Sequence, residues 1–161
     1  MVFLVPFDGS TLAGTALVRA SEYGALLEED VTVVSVVPND PEYAREKGWI
    51  QHGEQFEYDA VVDALRSSVK TLAPEATFRH VRVPRYAQTG KIVLAIRRIA
   101  SELDASVVFV GSENAGRFVT SISSVGGGVA TDPSYDVHIV RQHNPPKIPS
   151  LPVDAEHYRT E

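Results

Sequence analysis

Two kinds of hydrophobic pattern alternate along the chain. Residues 2–7 (VFLVPF) form a near-continuous apolar run, as expected of a strand covered on both faces, and the run ends in the turn signal Asp8-Gly9-Ser10. From Ser10 the period becomes helical. Ala13, Ala16, Leu17, Ala20, Gly24 and Leu27 share one face, Ser10 is placed to act as N-cap, and Glu28, Glu29 and Asp30 mark the exposed end. Residues 31–37 (VTVVSVV), rich in β-branched side chains and stopped by Pro38, predict a second buried strand. Residues 39–53, with Pro41 and Gly48, read as a loop. Tyr58, Val61, Val62, Leu65, Val69 and Leu72 then recur at i, i+3, i+4 spacing, which predicts an amphipathic helix from about Glu54 to Ala73, with Pro74 beyond it.

In residues 77–83 (TFRHVRV) apolar positions alternate with Arg79, His80 and Arg82, the pattern of a half-exposed edge strand ended by Pro84. Ile92, Ala95, Ile96, Ile99, Ala100 and Leu103 predict a third long helix, with Thr89 as its cap, and residues 106–110 (SVVFV) a strongly buried strand. A polar, glycine-containing loop follows, then a weakly helical stretch over residues 123–131 and a last strand over 137–141. Prolines at 145, 146, 149 and 152 exclude a regular helix or central strand beyond that point. Strands buried on two faces and alternating with helices require right-handed crossovers and a helix layer on each side of a parallel sheet. The expected fold is therefore one three-layer α/β/α domain over residues 1–142. Its five-stranded parallel sheet is Rossmann-like, open and doubly wound, in the order 3-2-1-4-5, and a Pro-rich tail follows over residues 143–161. In such sheets ligands settle outside the carboxyl ends of the strands where the order reverses, which directs attention to Asp8–Ser10, Val36–Asn39 and Gly111 onward.

The composition narrows the chemistry. The chain has no cysteine, so thiolate nucleophiles, disulfides and Cys-ligated zinc are excluded. No apolar run reaches the ~20 residues of a membrane helix, and the N-terminus lacks the basic region and cleavage site of a signal peptide, so a soluble, cytoplasmic product is expected. The net charge of −6 is unevenly spread: residues 1–76 carry 13 acids and 5 bases, whereas the rest carry 8 acids and 10 bases. Arg79, Arg82, Arg85, Lys91, Arg97 and Arg98 lie in a stretch without an acid, with Arg85 and Lys91 nearest the ligand rim by topology. A solvated or ion-paired face explains them better than nucleic-acid binding, which needs a wider basic footprint.

The loop after the fourth strand is the richest in candidate chemistry: Gly111, Ser112, Glu113, Asn114, Ala115, Gly116 and Arg117, then Ser123, Ser124, Val125 and three consecutive glycines. Glycines let backbone approach an anion, the serines offer hydroxyls and N–H groups near a helix start, and Arg117 supplies positive charge. The same residues also suit a plain strand end, a solvated loop cation and tight helix packing. A Walker loop is rejected because Arg117 and Phe118 stand where Lys and Ser/Thr are needed, and the first strand–helix turn is no dinucleotide fingerprint. Asp8 reads equally as an acceptor for a ribose, a base amino group or a metal-bound water and as a turn-forming Asp bonded to its own backbone. The histidines (52, 80, 138, 143, 157) lack metal-ligand spacing, and Ser10 and Ser112 lack a nucleophile elbow, so no metal site and no catalytic residue is expected.

These residues resemble the universal stress protein family. Val5-Pro6-Phe7-Asp8-Gly9-Ser10 is similar to its V-P-x-D-x-S signature, residues 33–38 to the end of its second strand, and residues 108–112 with Ser123-Ser124-Val125 to its phosphate loop and following helix start. The resemblance spans residue 2 to about 142. It implies a homodimeric stress or regulatory module that binds an adenine nucleotide, ATP or AMP, with Mg2+ if ATP, and at most slow ATP hydrolysis. Asp8 and Val36 would hold adenosine, while Gly111, Asn114, Gly116, Arg117, Ser123, Ser124 and Val125 would form the phosphate side. The chain departs from the family loop at Asn114 and Ser123, where glycines stand, and Gly116 offers a substitute for the first. Asn tolerates a left-handed backbone and Ser adds a hydroxyl, yet a Cβ at either position also crowds phosphates. The alternative is a nucleotide-independent dimeric scaffold or partner-binding protein of the same fold. In either case the resemblance implies pairing of protomers through the last strand, Val137–Arg141. The tail contains a P-x-x-P match, which fits an extended recognition segment or a disordered or subunit-embracing arm.

Overall fold

In the computed structural model, the structure describes residues 1–86, 89–113 and 134–144. Five strands, β1 (Val2–Pro6), β2 (Asp30–Pro38), β3 (Thr77–Val83), β4 (Ala105–Gly111) and β5 (Asp136–Val140), form one parallel sheet in the order β3-β2-β1-β4-β5. The helices are α1 (Thr11–Leu27), α2 (Pro41–Glu46), α3 (Tyr58–Leu72) and α4 (Thr89–Glu102).

Alternation along each strand sends successive side chains to opposite faces, so both faces of an apolar strand are buried only if each is covered. Phe3, Val5, Phe7, Val33, Val37 and Phe109 pack with Ala13, Leu17, Val62 and Leu65 of α1 and α3. Leu4, Val34, Val36, Val108 and Val110 pack on the other side with Ile92, Ile96 and Ile99 of α4. The covered, doubly wound sheet expected from the apolar runs is the one observed. β3 is an edge strand, as its polar alternation indicated. Ser35, the one polar residue within the second apolar run apart from Thr32, is fully buried because its hydroxyl donates to the Phe7 carbonyl at 2.7 Å.

Ser10 caps α1 as read, its Oγ accepting from the Ala13 N–H at 3.2 Å, although Leu27 at the far end is 44% exposed rather than part of the core face. The segment 39–53 is not all loop. The side chain of Asp40 accepts from the Glu42 and Tyr43 N–H groups and Pro41 opens α2, an Asp-Pro start signal that the loop reading passed over. α3 begins at Tyr58 rather than near Glu54, because Glu54 is tied into a turn: its N–H donates to the Gln51 carbonyl and its carboxylate accepts from the Gln51 N–H at 2.7 Å. Thr89 is the first residue of α4 rather than the cap before it. The helix expected over residues 123–131 lies outside the described residues, and so does the tail from residue 145. Among the described residues no helix is long and apolar enough to cross a membrane.

Candidate functional site

The site grows from the end of β1. Strand parity places Leu4, Pro6 and then Asp8 toward α4, and Asp8 sits where the order reverses between β1's two neighbours, β2 and β4. One carboxylate oxygen accepts from the Ser10 N–H at 2.9 Å, which fixes the turn into α1. The other lies 2.8 Å from the Lys47 ammonium, and the Trp49 indole N–H donates to the Asp8 carbonyl at 2.7 Å. The turn-forming reading of Asp8 has its structural counterpart in the bond from the Ser10 N–H, and the second oxygen is paired with Lys47 beside the sheet edge.

Burial pushes the Asp8 carboxyl up, but the hydrogen bonds and charge of Lys47 and the bonds from Ser10 outweigh burial and hold it below the ordinary carboxylate value of 3.8. Asp8 is therefore an anion at neutral pH. Beside it is a small cavity of about 50 Å³, walled by Val34, Val36, Ile92, Val93 and Ile96 and closed by Tyr43 and Lys47. Val36 is buried on this wall. The arrangement is a small apolar slot with one carboxylate at its rim.

Gly111 ends β4 on the opposite side. It has the parity of Phe109, and a Cβ built on it would lie 2.9 Å from the Leu12 Cβ and 3.6 Å from the Ala13 N. Close approach of α1 accounts for glycine at this position without a ligand. Among the described candidates, then, Asp8 and Val36 meet at one cavity and Gly111 packs under α1. Asn114, Gly116, Arg117, Ser123, Ser124 and Val125 lie outside the described residues.

The fold of this chain is shared widely. The family model of the universal stress proteins matches residues 1–141. The chain belongs to the universal stress protein family. Solved structures with the same fold include a universal stress protein in complex with cAMP, 19% identical, with a TM-score of 0.52 and covering 88% of this chain and 97% of that one. A universal stress protein from Archaeoglobus fulgidus in complex with dAMP is 19% identical, with a TM-score of 0.51 over 88% of this chain and 98% of that one. A family member from Burkholderia pseudomallei is 18% identical, with a TM-score of 0.50 over 88% and 96%. At such identities the likeness to solved structures establishes the fold alone. No curated protein matches the chain by sequence.

Lys47, Tyr43 and Trp49 are the site residues that sequence reasoning missed. Trp49 packs against Tyr43 at a ring separation of 5.5 Å, with its indole N–H on the Asp8 carbonyl. The Asp40-Pro41 helix start signals α2, but not that the segment crosses the carboxyl edge beside Asp8.

Elsewhere on that edge, Arg85 lies over the Tyr86 ring at 5.1 Å, and neither it nor Lys91 lines the cavity. Within the basic stretch, Arg79 meets Glu102 at 3.3 Å and Arg82 lies over the Tyr58 ring at 4.4 Å. An open groove of about 750 Å³ runs along the other side of α1, lined by Ser10, Thr15, Arg19, Ser67, Thr71 and His143. None of the described candidates for nucleotide binding lines it. Among the described residues no group of three or more His, Asp or Glu is placed to hold a metal.

Proposed function

We propose that this universal stress protein is a regulatory module that binds an adenine nucleotide, ATP or AMP, at the carboxyl edge of the sheet on the face covered by α4. The observation that carries the reading is the ionised Asp8 at the strand-order reversal, set at the rim of an apolar slot walled by Val34, Val36, Val93 and Ile96. A purine is an apolar plate with polar edges, and a carboxylate accepts two hydrogen bonds from a base amino group or ribose hydroxyls. The slot suits the first and Asp8 the second. Family members solved with cAMP and dAMP support the same class of ligand. The loop that follows Gly111, with Arg117 and Ser123–Val125, would receive the phosphates, and Mg2+ would accompany ATP.

Titration of the full chain with AMP and ATP by calorimetry tests this. Binding is expected, and Asp8→Asn, which keeps the side-chain size and the turn-forming oxygen, should weaken it by about 10–100-fold, the loss of a charged acceptor. Absence of binding at millimolar nucleotide would overturn the reading.

One observation favours the second reading, a nucleotide-independent scaffold: both Asp8 oxygens are already engaged and the slot is small. In either reading we propose a homodimer through β5, an edge strand on which Ile139 is 39% exposed. Light scattering that gives one chain mass at micromolar concentration would exclude the dimer.

A further inference from the structure

We propose that Lys47 is a competitor built into the adenosine site: adenosine engages Asp8 only when the Lys47 ammonium leaves it, so this ion pair sets the affinity. The inference rests on the nucleotide reading above and adds a control to it.

Three features support it. The Asp8 oxygen that does not serve the turn is the one that Lys47 holds at 2.8 Å, and it is the oxygen an adenosine would need. Lys47 and Tyr43 stand in the slot itself and leave about 50 Å³, whereas small-molecule pockets begin at about 300 Å³. The backbone bearing Lys47 is pinned, because Ala44 and Ile50 on either side are buried, the Lys47 N–H donates to the Tyr43 carbonyl and the Trp49 indole to Asp8. Release is therefore a rotation of a flexible four-carbon stem, not a lifting of the segment. The Lys47 side chain is 29% exposed and has solvent to move into.

The apparent affinity of a site that is open only part of the time falls by the open fraction. A partly exposed, charge-assisted contact of this kind corresponds to roughly ten closed for each open, hence about a tenfold loss of adenosine affinity.

Adenosine and AMP separate this role from the obvious rival, in which Lys47 grips a phosphate. Calorimetric titration of the full chain, wild type against Lys47→Met and Lys47→Gln, uses both ligands, with thermal unfolding to confirm that each variant is folded. The two variants keep the stem and remove the charge, so either suffices if the other is unstable. Adenosine, which has no phosphate, should bind both variants about tenfold more tightly than wild type. Unchanged adenosine affinity overturns the proposal, and a fall in AMP affinity with adenosine unchanged assigns Lys47 to phosphate instead. If wild type binds and the variants bind no better, only the competitor role fails. If neither ligand binds any of the proteins, the nucleotide reading fails and takes this inference with it.

Discussion

The two faces of the sheet are closed in different ways at the carboxyl edge. On the α1 face beside β4 and β5, closure is by contact: Gly111 has no side chain so that Leu12 can approach, and Phe109 stacks on His138 and meets Phe3 and Tyr23 at tilted angles. On the face of α4, the apolar wall of Val34, Val36, Val93 and Ile96 stops short and leaves a slot, closed by a carboxylate and an ammonium. Dispersion contacts hold the first edge and are lost only with the fold, whereas a partly buried ion pair holds the second and exchanges partners without unfolding. A binding site belongs where closure is cheap to undo. The comparison therefore separates residues that build the edge from residues that could work there.

Gly111 gives the largest effect by which to break this comparison. A Cβ there meets the root of the Leu12 side chain at 2.9 Å, so Gly111→Val forces α1 away from β4. Overpacking of this kind costs about 1–3 kcal/mol. For a chain of this size that lowers Tm by roughly 2–4 °C per kcal/mol. The loss should appear with or without nucleotide, measured by thermal unfolding. Wild-type stability in Gly111→Val would show that the α1 edge is not packed as described. Weakened nucleotide binding in this variant, by contrast, says little about phosphate contact unless the stability loss is first taken into account.

What could be read in advance divides along the same line. The α1 face was legible because its signals are local: the apolar run of β1, the Ser10 cap and the period of Ala13, Ala16, Leu17 and Ala20 each sit within one element. The edge position of β3 followed from its polar alternation, set against the apolar cores of β1, β2 and β4. Asp8 was legible as a position, since the end of β1 at an order reversal is fixed by topology. Its partner was not. Lys47 is 39 residues away in a segment read as loop, and a lysine there has the composition of an ordinary solvated residue. Only the path of α2 back across the sheet edge brings the two charges together, and that path depends on the burial of Ala44 and Ile50, a tertiary matter. Gly111 was found as a residue but both of its explanations stayed open, because flexibility for a ligand and room for a helix leave the same letter in the chain.

His138 gives the smallest effect and sharpens the contact-closed side. It lies on β5 with its ring stacked on Phe109 at 4.9 Å and against Tyr23 at 5.5 Å. Burial lowers its pKa from the ordinary 6.5, and the positive Arg19 lowers it further, so the folded protein keeps this ring neutral where an unfolded chain would protonate it. Between 6.5 and the lower folded value the unfolded state binds more protons, and stability falls as pH falls through that window. Asp8, displaced below 3.8, loses its own contribution as pH falls further, through its lowered value. His138→Phe keeps a stacking ring and removes the titration. Urea unfolding at pH 7 and pH 5 should show a smaller acid loss in the variant than in wild type. Parallel pH profiles would mean that the ring is free to take its proton in the fold, and that the α1 edge is open to water near β5.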